Sequence, residues 1–217
     1  MLLAFLLDAD NTLIDNDAAK ATIDERIIGS LGDKVRSTFW RIYEETRLER
    51  GLVDYPTTLA RLHAELRGLS DDVDAIVWEL PYERFRYPAS LAVIAELRRS
   101  GLPVVLSDGD DVYQPMKIAR AGITAAVHGH VLVVRHKEEH LDEVAARFPA
   151  DRYVLVDDKP ALLAAVKARW HDRVVTVHVR QGHYAAESPE TPPDVSLASI
   201  ADVPRALADL TWLTGIR

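Results

Sequence analysis

The sequence predicts an α/β fold in which a mostly parallel sheet carries helices on both faces and a helical segment is inserted near the N-terminus. Unbroken apolar runs that stop at turn-forming polar residues are typical of strands buried on both faces. Such runs alternate with helical patterns from residue 88 onward, as in a chain of βαβ units. The predicted strands are 2–7, 103–107, 153–156 and 174–179, a short pair at 125–128 and 131–134, and a last short strand within 196–207.

Composition is that of an ordinary globular protein and disfavours several function classes. The 217 residues suffice for one large domain or for a core with an inserted module. Because 34 Asp and Glu outnumber 26 Lys and Arg, the net charge is −8, which argues against general binding to nucleic acid or to an anionic membrane. The chain has no cysteine, hence no disulfides and no thiolate chemistry. We expect a monomer or homodimer that binds a small molecule.

The apolar run at 2–7 predicts a strand rather than a targeting segment. It is too short to span a bilayer, no basic leader precedes it, and it ends in acidic residues. No other stretch approaches the length of a membrane span. We therefore expect a cytoplasmic protein.

Residues 16–87 predict an all-helical insert. The first helix should end near 29–32, and its buried face would comprise four apolar residues at helical spacing, Ile23, Ile27, Ile28 and Leu31. Pro56 is suited to open a later helix, and another is predicted at 73–80. We predict two domains: an α/β core of residues 1–15 and 88–217, and a helical cap of residues 16–87 with hinges near Asn16 and Tyr87.

The elements after residue 88 follow the βαβ rhythm. Helices are predicted at 89–99 and 137–148, and Asp111 with Gln114 has the spacing of a capping box for a helix that ends at Gly122. Pro160 is typical of a first helical turn, and its helix should extend to about Trp170. Residues 182–193 are predicted to be a loop, and the last short strand is followed by a helix.

Two carboxylates stand where the first strand ends, Asp8 and Asp10. Residues two apart on a strand point the same way, so both should face one site. Two like charges at close range are unfavourable, and a divalent cation relieves them. Hard oxygen ligands favour Mg²⁺. Ligands of open α/β sheets bind beyond the carboxyl ends of the strands, where this pair falls.

Polar residues follow three other predicted strands, so the same edge of the sheet should bring them beside the first pair. They are Ser107, Lys137 and the adjacent Asp157 and Asp158. Mg²⁺ between Asp8 and Asp158 would offset the charge of both carboxylate and phosphate. Lys137 would neutralise developing charge, and Ser107 would hold phosphoryl oxygens together with nearby backbone groups. The candidates for this backbone contact are Asn11, Asp108 and Gly109.

This set of side chains suits the hydrolysis of a phosphate ester. Asp8 can act as the nucleophile, because carboxylates form aspartyl-phosphate intermediates. Asp10 can protonate the leaving alkoxide and then take a proton from water.

Four motifs, in this order, resemble those of the haloacid dehalogenase (HAD) superfamily. They are DADNTL at 8–13, LSDGD at 106–110, a lysine before a helix at 137, and VLVDD at 154–158. The resemblance covers essentially the whole chain, with the helical insert in the place of that family's C1 cap. It implies a Rossmann-like core and a Mg²⁺-dependent phosphatase or phosphotransferase.

By this resemblance, Asp8 is the nucleophile, Asp10 is the acid/base catalyst, and Ser107 and Lys137 bind phosphate. The implied metal ligands, with Asp157 behind them, are Asp8, the backbone carbonyl of Asp10, and Asp158. The dehalogenases of the family generally lack an acid at the position of Asp10, because a departing halide needs no proton, so this residue favours phosphoryl transfer. Asn11 replaces a common Gly, and Asn accepts turn conformations.

We therefore predict a Mg²⁺-dependent phosphomonoester hydrolase that acts on a small phosphorylated metabolite through an aspartyl-phosphate intermediate. The alternatives are another enzyme on the same site (a phosphomutase, phosphonatase or 2-haloacid dehalogenase) and a non-catalytic phosphate-binding or interaction protein. A phosphonatase would require a cap lysine in the site, and the insert offers Lys20 and Lys34. Three acids after the second strand disfavour polyanionic substrates: Asp108, Asp110 and Asp111.

Three sets of residues have rival interpretations. His136, Glu139 and His140 match the HxxEH zinc signature, but a helix that begins at Lys137 explains the same stretch. Lys117 is the rival phosphate lysine, although a position within a helix favours a solvated role. Four insert residues could meet the substrate, but their helical spacing favours packing or a solvated face: Trp40, Tyr43, Arg47 and Arg50.

Overall fold

A computed structural model describes residues 2–187 and 190–208, and the centre of this part of the chain is a six-stranded parallel sheet. The strands are β1 (Leu3–Leu7), β2 (Leu102–Asp108), β3 (Val131–Val134), β4 (Arg152–Asp157), β5 (Val174–Val179) and β6 (Val195–Leu197). Their order across the sheet is β3-β2-β1-β4-β5-β6, so β1 lies between β2 and β4. The predicted α/β class and parallel sheet are confirmed.

Helices fill the intervals between these strands. Over the described ranges they are α1 (Asn16–Leu31), α2 (Asp33–Arg50), α3 (Tyr55–Glu65), α4 (Asp72–Trp78), α5 (Ser90–Leu97), α6 (Tyr113–Arg120), α7 (Ile123–Ala126), α8 (Leu141–Arg147), α9 (Pro160–Trp170) and α10 (Val203–Ala208). Short 3₁₀ turns lie at Tyr82–Arg84, Lys137–Glu139, His171–Arg173, His183–Ala186 and Ile200–Asp202. Among the helices described, none is long and apolar enough to cross a membrane.

Alternation along β1 sends side chains to both faces of the sheet. Phe5 and Leu7 pack in one hydrophobic core, which also includes the buried side chains of α1 to α6. Ala4 and Leu6 pack in a second core on the opposite face, against α8 and α9. Burial on both faces explains why the sequence of this strand is an unbroken apolar run.

The insert at 16–87 contains α1 to α4 and a 3₁₀ turn, as the spacing predicts. The chain leaves the sheet and returns to it at neighbouring points, because Ile14 pairs with Arg86 in an antiparallel bridge. The N–H of Tyr87 also donates to the carbonyl of Leu13 at 3.0 Å. The two predicted hinge regions therefore contact each other. The division into a core domain and a cap domain stays a prediction.

Local capping explains where the insert's helices begin and end. The side chains of Asp15 and Asp54 accept backbone N–H groups three residues on, at 2.9 and 2.7 Å. Pro56 lies in the first turn of α3, as predicted. Gly51 takes a left-handed φ of 71° and ends α2.

Tyr113, at the start of α6, connects the α/β part to the insert. Its hydroxyl donates to the carbonyl of Val77 in α4 at 2.9 Å and lies 2.9 Å from the hydroxyl of Tyr82. Its ring centroid is 4.5 Å from that of Tyr55 and 5.3 Å from that of Trp78. The insert therefore packs on the helix that follows β2.

The region between β2 and β3 departs from the predicted strand pair. Residues 125–128 lie in α7 and the turn after it, because Gly122 adopts a left-handed φ of 75° and redirects the chain into a new helical turn. β3 is an edge strand parallel to β2. The capping prediction at Asp111 is also wrong. The carboxylate of Asp110 accepts two N–H groups at the start of α6, at 2.9 and 2.6 Å.

Two predicted helices differ in detail. The helix predicted at 137–148 is split into a 3₁₀ turn and α8, because His136 has a left-handed φ of 55° and the next side chain, Lys137, points into the protein interior. In α1, Ile23 and Ile27 are buried but Ile28 is exposed. Successive helical residues are rotated by about 100°, so Ile28 falls outside the face that Ile27 presents to the core.

Candidate active site

The structure places the predicted site residues at the carboxyl ends of four neighbouring strands. Asp8 follows β1, Ser107 lies near the end of β2, and Lys137 comes shortly after β3. Asp157 ends β4, and Asp158 follows it. Because these four strands are parallel and adjacent, their ends meet at one edge of the sheet.

Lys137 is a fully buried cation between two carboxylates. Its ammonium donates to Oδ1 of Asp8 at 2.5 Å and to Oδ2 of Asp157 at 2.7 Å. Burial lowers the pKa of Lys137, but the carboxylates of Asp157, Asp8 and Asp108 together outweigh burial and hold the pKa well above its usual value. The side chain is thus a fixed positive charge that orients Asp8 and occupies one oxygen of each carboxylate.

Asp157 and Asp158 are adjacent in sequence, but their carboxylates have different surroundings. Both oxygens of Asp157 have partners, because Oδ1 accepts the N–H of Lys159 at 2.8 Å while Oδ2 accepts from Lys137. Both oxygens of Asp158 are buried, and no hydrogen-bond partner for them lies in the described part of the chain. The same holds for Oδ2 of Asp8. One oxygen of each of the three carboxylates lies within 4.8 Å of the others.

These buried carboxylates fit a divalent cation. Burial is the largest cause of a raised pKa in both Asp158, to about 9, and Asp8, to about 7, and neighbouring carboxylates raise both further. A divalent cation offsets that cost, because it brings opposite charge to oxygens that lack a partner. A donor set made of carboxylate oxygens alone suits a hard cation such as Mg²⁺. Asp158 and Asp8 are the residues that could hold it, with Asp157 behind them.

Asp10 contacts a second buried lysine. The ammonium of Lys117 lies 2.5 Å from Oδ1 of Asp10 and donates to Oδ1 of Asn16 at 2.9 Å. The side-chain amide of Gln114, one turn earlier on α6, lies 3.4 Å from Oδ2 of Asp10. Lys117 is 3% exposed, so its interpretation as part of a solvated face is wrong. The spacing of three residues between Gln114 and Lys117 is the sequence signal that places both on one helix face.

The turn after β2 is organised by its own side chains. The hydroxyl of Ser107 accepts from the amide of Gln114 at 2.9 Å, and Asp108 accepts the backbone N–H of Lys137 at 3.0 Å. The N–H of Gly109 donates to a carbonyl at the end of β3 at 3.1 Å. A Cβ at Gly109 would lie 2.6 Å from a side-chain carbon of Gln114, so glycine permits this close approach. The hydroxyl of Ser107 donates to the carbonyl of Asp108 at 3.4 Å, and the N–H of Gly109 is likewise used within the fold.

Asn11 stabilises the turn between β1 and α1. Its φ is 55°, in the left-handed region that Asn tolerates better than most residues. Its side-chain oxygen accepts the N–H groups of Asn16 and Asp17 at 3.0 and 3.2 Å, and its own N–H donates to the carbonyl of Ile14 at 2.6 Å. A Cβ at Gly182 would overlap the side chain of Asn11, so the loop after β5 packs closely on this turn. The hydrogen-bonding groups of Asn11 are therefore engaged within the fold.

A cavity of about 470 Å³ joins the carboxylate site to the insert. Asp10, Asp158 and Lys159 line it from the α/β part, and Lys20 and Arg47 line it from the insert. The position of Lys159 directly after the carboxylate pair is a sequence signal for a residue near the site. The sequence predicts Lys20 only as a lysine of the cap, because helical position does not show which neighbour a side chain meets.

Of the four insert residues with helical spacing, Arg47 lines the cavity. Tyr43 is buried, and the ring nitrogen of Trp40 donates to a carboxylate of α1 at 2.6 Å. Arg50 forms an ion pair with Asp54 at 2.7 Å. Packing or local pairing thus accounts for the other three.

The HxxEH stretch does not form a zinc site. His140 lies 3.1 Å from Glu143, and His136 lies 3.9 Å from Glu138. Within the described residues, two groups of side chains could hold a metal ion, and neither histidine belongs to either group. These groups are Asp8 with Asp157 and Asp158, and His63 with Asp71 and Asp74.

Solved structures that resemble this chain include haloacid dehalogenase-like proteins. A haloacid dehalogenase-like hydrolase of Burkholderia xenovorans LB400 is 38% identical, with a TM-score of 0.88, over 96% of this chain and 97% of its own. The HAD hydrolase YfnB of Bacillus subtilis, bound to magnesium, is 15% identical, with a TM-score of 0.63, over 95% and 98%. The L-2-haloacid dehalogenase of Xanthobacter autotrophicus is 18% identical, with a TM-score of 0.62, over 96% and 99%. At these identities, the last two show the fold alone.

No protein-family model and no curated protein matches this chain. The Burkholderia protein, in contrast, matches over nearly the full length of both chains at 38% identity. The parallel sheet with helices agrees with that match. The chain belongs to the haloacid dehalogenase-like hydrolases.

Proposed function

We propose that this hydrolase cleaves phosphomonoesters, with Mg²⁺ bound and with Asp8 as the nucleophile. The observation that carries the proposal is that the carboxylate of Asp10 lines the cavity and is held by contacts from Lys117 and Gln114. Transfer of a phosphoryl group from an ester needs a proton for the leaving alkoxide, whereas the loss of a halide needs none. Asp10 therefore favours phosphatase chemistry over the dehalogenase chemistry for which the Xanthobacter neighbour is named.

In the first step, Oδ2 of Asp8 attacks the phosphorus. Lys137 binds the other oxygen and orients the carboxylate, which leaves Oδ2 without a hydrogen-bond partner in the described residues. A bond forms between this oxygen and phosphorus, the bond between phosphorus and the ester oxygen breaks, and a proton from Asp10 converts the leaving alkoxide into an alcohol. The hydroxyl of Ser107 can donate to a phosphoryl oxygen, and Lys137 offsets its negative charge.

In the second step, water releases the phosphoryl group. Asp10, now a carboxylate, takes a proton from the water as the water oxygen attacks phosphorus. The bond between phosphorus and the oxygen of Asp8 breaks, inorganic phosphate leaves and the carboxylate is restored. The balance is one ester and one water consumed, and one alcohol and one phosphate formed.

The proposed metal ligands are Asp158, Asp8 and the backbone carbonyl of Asp10. When bound there, Mg²⁺ supplies positive charge that offsets the negative charge of the phosphoryl oxygens. The buried oxygens of Asp158, which no described group reaches with a hydrogen bond, support this assignment. The role of Asp157 is to hold Lys137 in place.

The substrate we propose is a small phosphate ester. A cavity of about 470 Å³ lies within the usual size range of small-molecule sites. The net charge of −8 opposes recognition of nucleic acid through its phosphates.

The test is the release of phosphate from an aryl phosphate, with Mg²⁺ and with a chelator. We expect Mg²⁺-dependent turnover by the wild type and a loss of at least about 1000-fold in Asp8→Asn, because the amide is not a nucleophile. Asp111→Asn removes an exposed carboxylate near the same edge of the sheet and should stay close to the wild type. Equal turnover by the wild type and Asp8→Asn would contradict the proposal.

A further inference from the structure

Lys20 is a cation without an anionic partner in the wall of the active-site cavity. It extends from α1 and lines the cavity that also contains Asp10 and Asp158. Its ammonium lies over the ring of Tyr43, 5.0 Å from the centroid. Within the part of the chain that is described, the ammonium makes no hydrogen bond and no ion pair within 4 Å.

The other basic side chains that line the cavity each have a carboxylate within 4 Å. The pairs are Arg47 with Glu44 at 2.8 Å, His183 with Asp17 at 2.8 Å, Lys159 with Asp108 at 3.8 Å, and His136 with Glu138 at 3.9 Å. Lys20 thus differs from the rest of the wall. Among the described residues that line the cavity, Lys20 is the basic side chain whose positive charge is available to a ligand.

The surroundings of Lys20 make an anionic ligand favourable. Burial lowers the pKa of Lys20, and the nearby carboxylate of Asp10 opposes that shift. A partly buried cation that lacks a partner regains favourable interactions when an anion binds it. Tyr43, whose ring lies beneath the ammonium, is buried, and its hydroxyl has no hydrogen-bond partner in the described residues.

We propose that Lys20 binds a carboxylate on the leaving-alcohol part of the substrate, so that the enzyme acts on phosphate esters of hydroxy acids; this inference rests on the proposed phosphatase function. An ammonium is a compact point charge, and one ammonium matches one carboxylate. A second phosphate would carry nearly two negative charges. It would also lie near several carboxylates of the same cavity wall, which repel a dianion more strongly: Asp10, Glu44 and Glu138.

The test compares two series of substrates of increasing chain length. One series consists of the phosphate esters of straight-chain ω-hydroxy acids, and the other of alkyl phosphates of matched length. We expect the wild type to prefer the best acid ester over its alkyl match by at least about tenfold in kcat/KM, the value of one charge-assisted contact. In Lys20→Met this ratio should fall to about 1, with kcat/KM for the alkyl phosphates changed much less.

Two further variants separate the charge of Lys20 from other roles. Lys20→Arg keeps the positive charge but cannot form an imine, so it should retain part of the preference if the role is electrostatic. Lys34→Met removes an exposed lysine of α2 and should leave the preference unchanged. A preference that survives in Lys20→Met, or a wild type that does not distinguish the two series, would overturn the inference.

A second measurement keeps the carboxylate subsite separate from the phosphatase proposal. Calorimetric titration of the wild type and Lys20→Met with the free ω-hydroxy acids reports carboxylate binding without turnover. Binding that requires Lys20 without phosphate release from either series would support the subsite and contradict the phosphatase. Phosphate release without a preference for acid esters would support the phosphatase and contradict the carboxylate subsite. Neither binding nor release would contradict both.

Discussion

Lys137 and the carboxylates around it do not balance in charge. Its ammonium contacts Asp8 and Asp157, and no such contact reaches Asp158 within the described ranges. When one member of a buried ion pair is removed, the charge of the other member is left buried without a partner, which destabilises the protein. When a buried charge that has no partner is removed, the energetic cost of burying it disappears and the protein is stabilised. The two adjacent aspartates should therefore respond in opposite ways to the same substitution.

Asp158→Asn should stabilise the metal-free protein at alkaline pH. Burial is the main cause that raises the pKa of Asp158 from 3.8 to about 9; Asp157 and Asp8 add to the rise, and Lys159 and Lys137 oppose it. Because the folded state holds this proton more tightly than the unfolded state, the free energy of unfolding falls as pH rises between these two values. The variant should gain about 1–3 kcal/mol at about pH 8 and little at about pH 4.

The measurement is urea denaturation in the presence of a chelator, repeated with Mg²⁺. Mg²⁺ should stabilise the wild type and have little effect on Asp158→Asn, because the ligand is lost. Asp157→Asn is the matched variant and should destabilise the protein at both pH values, since it removes a partner of the buried Lys137. If the free energy of unfolding of Asp158→Asn equals that of the wild type at both pH values, the charge of Asp158 is not destabilising and the prediction is wrong.

The sequence predicts residues at strand ends better than residues on helices. Asp8 and Asp158 could be located from sequence because an apolar run that stops at a carboxylate marks the functional edge of a sheet. Lys117 and Lys20 could not, because a charged residue within a helix faces solvent by default, and only the tertiary packing shows that these two point into the site.

At the scale of elements, the turn between β1 and α1 depends on Asn11. This residue combines a left-handed backbone with a side chain that accepts the N–H groups of Asn16 and Asp17. An Ala there would lose the side-chain contacts and strain the backbone, whereas a Gly would lose the contacts alone.

Asn11→Ala should therefore lower the free energy of unfolding by about 2 kcal/mol, and Asn11→Gly by about 1 kcal/mol. The midpoints of urea denaturation of the two variants and the wild type give the comparison. A loss in Asn11→Gly as large as in Asn11→Ala would show that backbone strain contributes nothing at this turn.

Elements with strong apolar patterns could be predicted, and elements set by local turns could not. β5 and α9 have the predicted bounds, because β5 is rich in β-branched residues and α9 begins with Pro160. The strand predicted at 125–128 is instead part of α7 and a turn, because the left-handed Gly122 and not the short apolar run decides the path of the chain. In this segment, the geometry of the turn determines the structure more strongly than the short apolar run does.

At the scale of the whole molecule, the strand order assembles the site and the insert completes it. The order of strands and helices along the chain predicts βαβ units, and βαβ units place the carboxyl ends of the strands at one edge of the sheet. It does not show that the cavity wall includes Lys20 or that Tyr113 joins α6 to the insert, because both depend on how the helices pack. The edge of the sheet that holds the candidate site could thus be predicted from the sequence, whereas the cavity wall formed by the insert required the structure.

In the proposed mechanism, a phosphoryl group is carried on Asp8 and released with the help of Asp10. The most direct measurement uses Asp10→Asn with an activated aryl phosphate, whose leaving group departs without a proton. The reaction is quenched in acid and the protein is examined by mass spectrometry of its peptides. Because release then lacks its base, the peptide that contains Asp8 should gain about 80 Da, the mass of one phosphoryl group. Formation of the aryl product with no such gain on Asp8, or with the gain on another residue, would contradict the account.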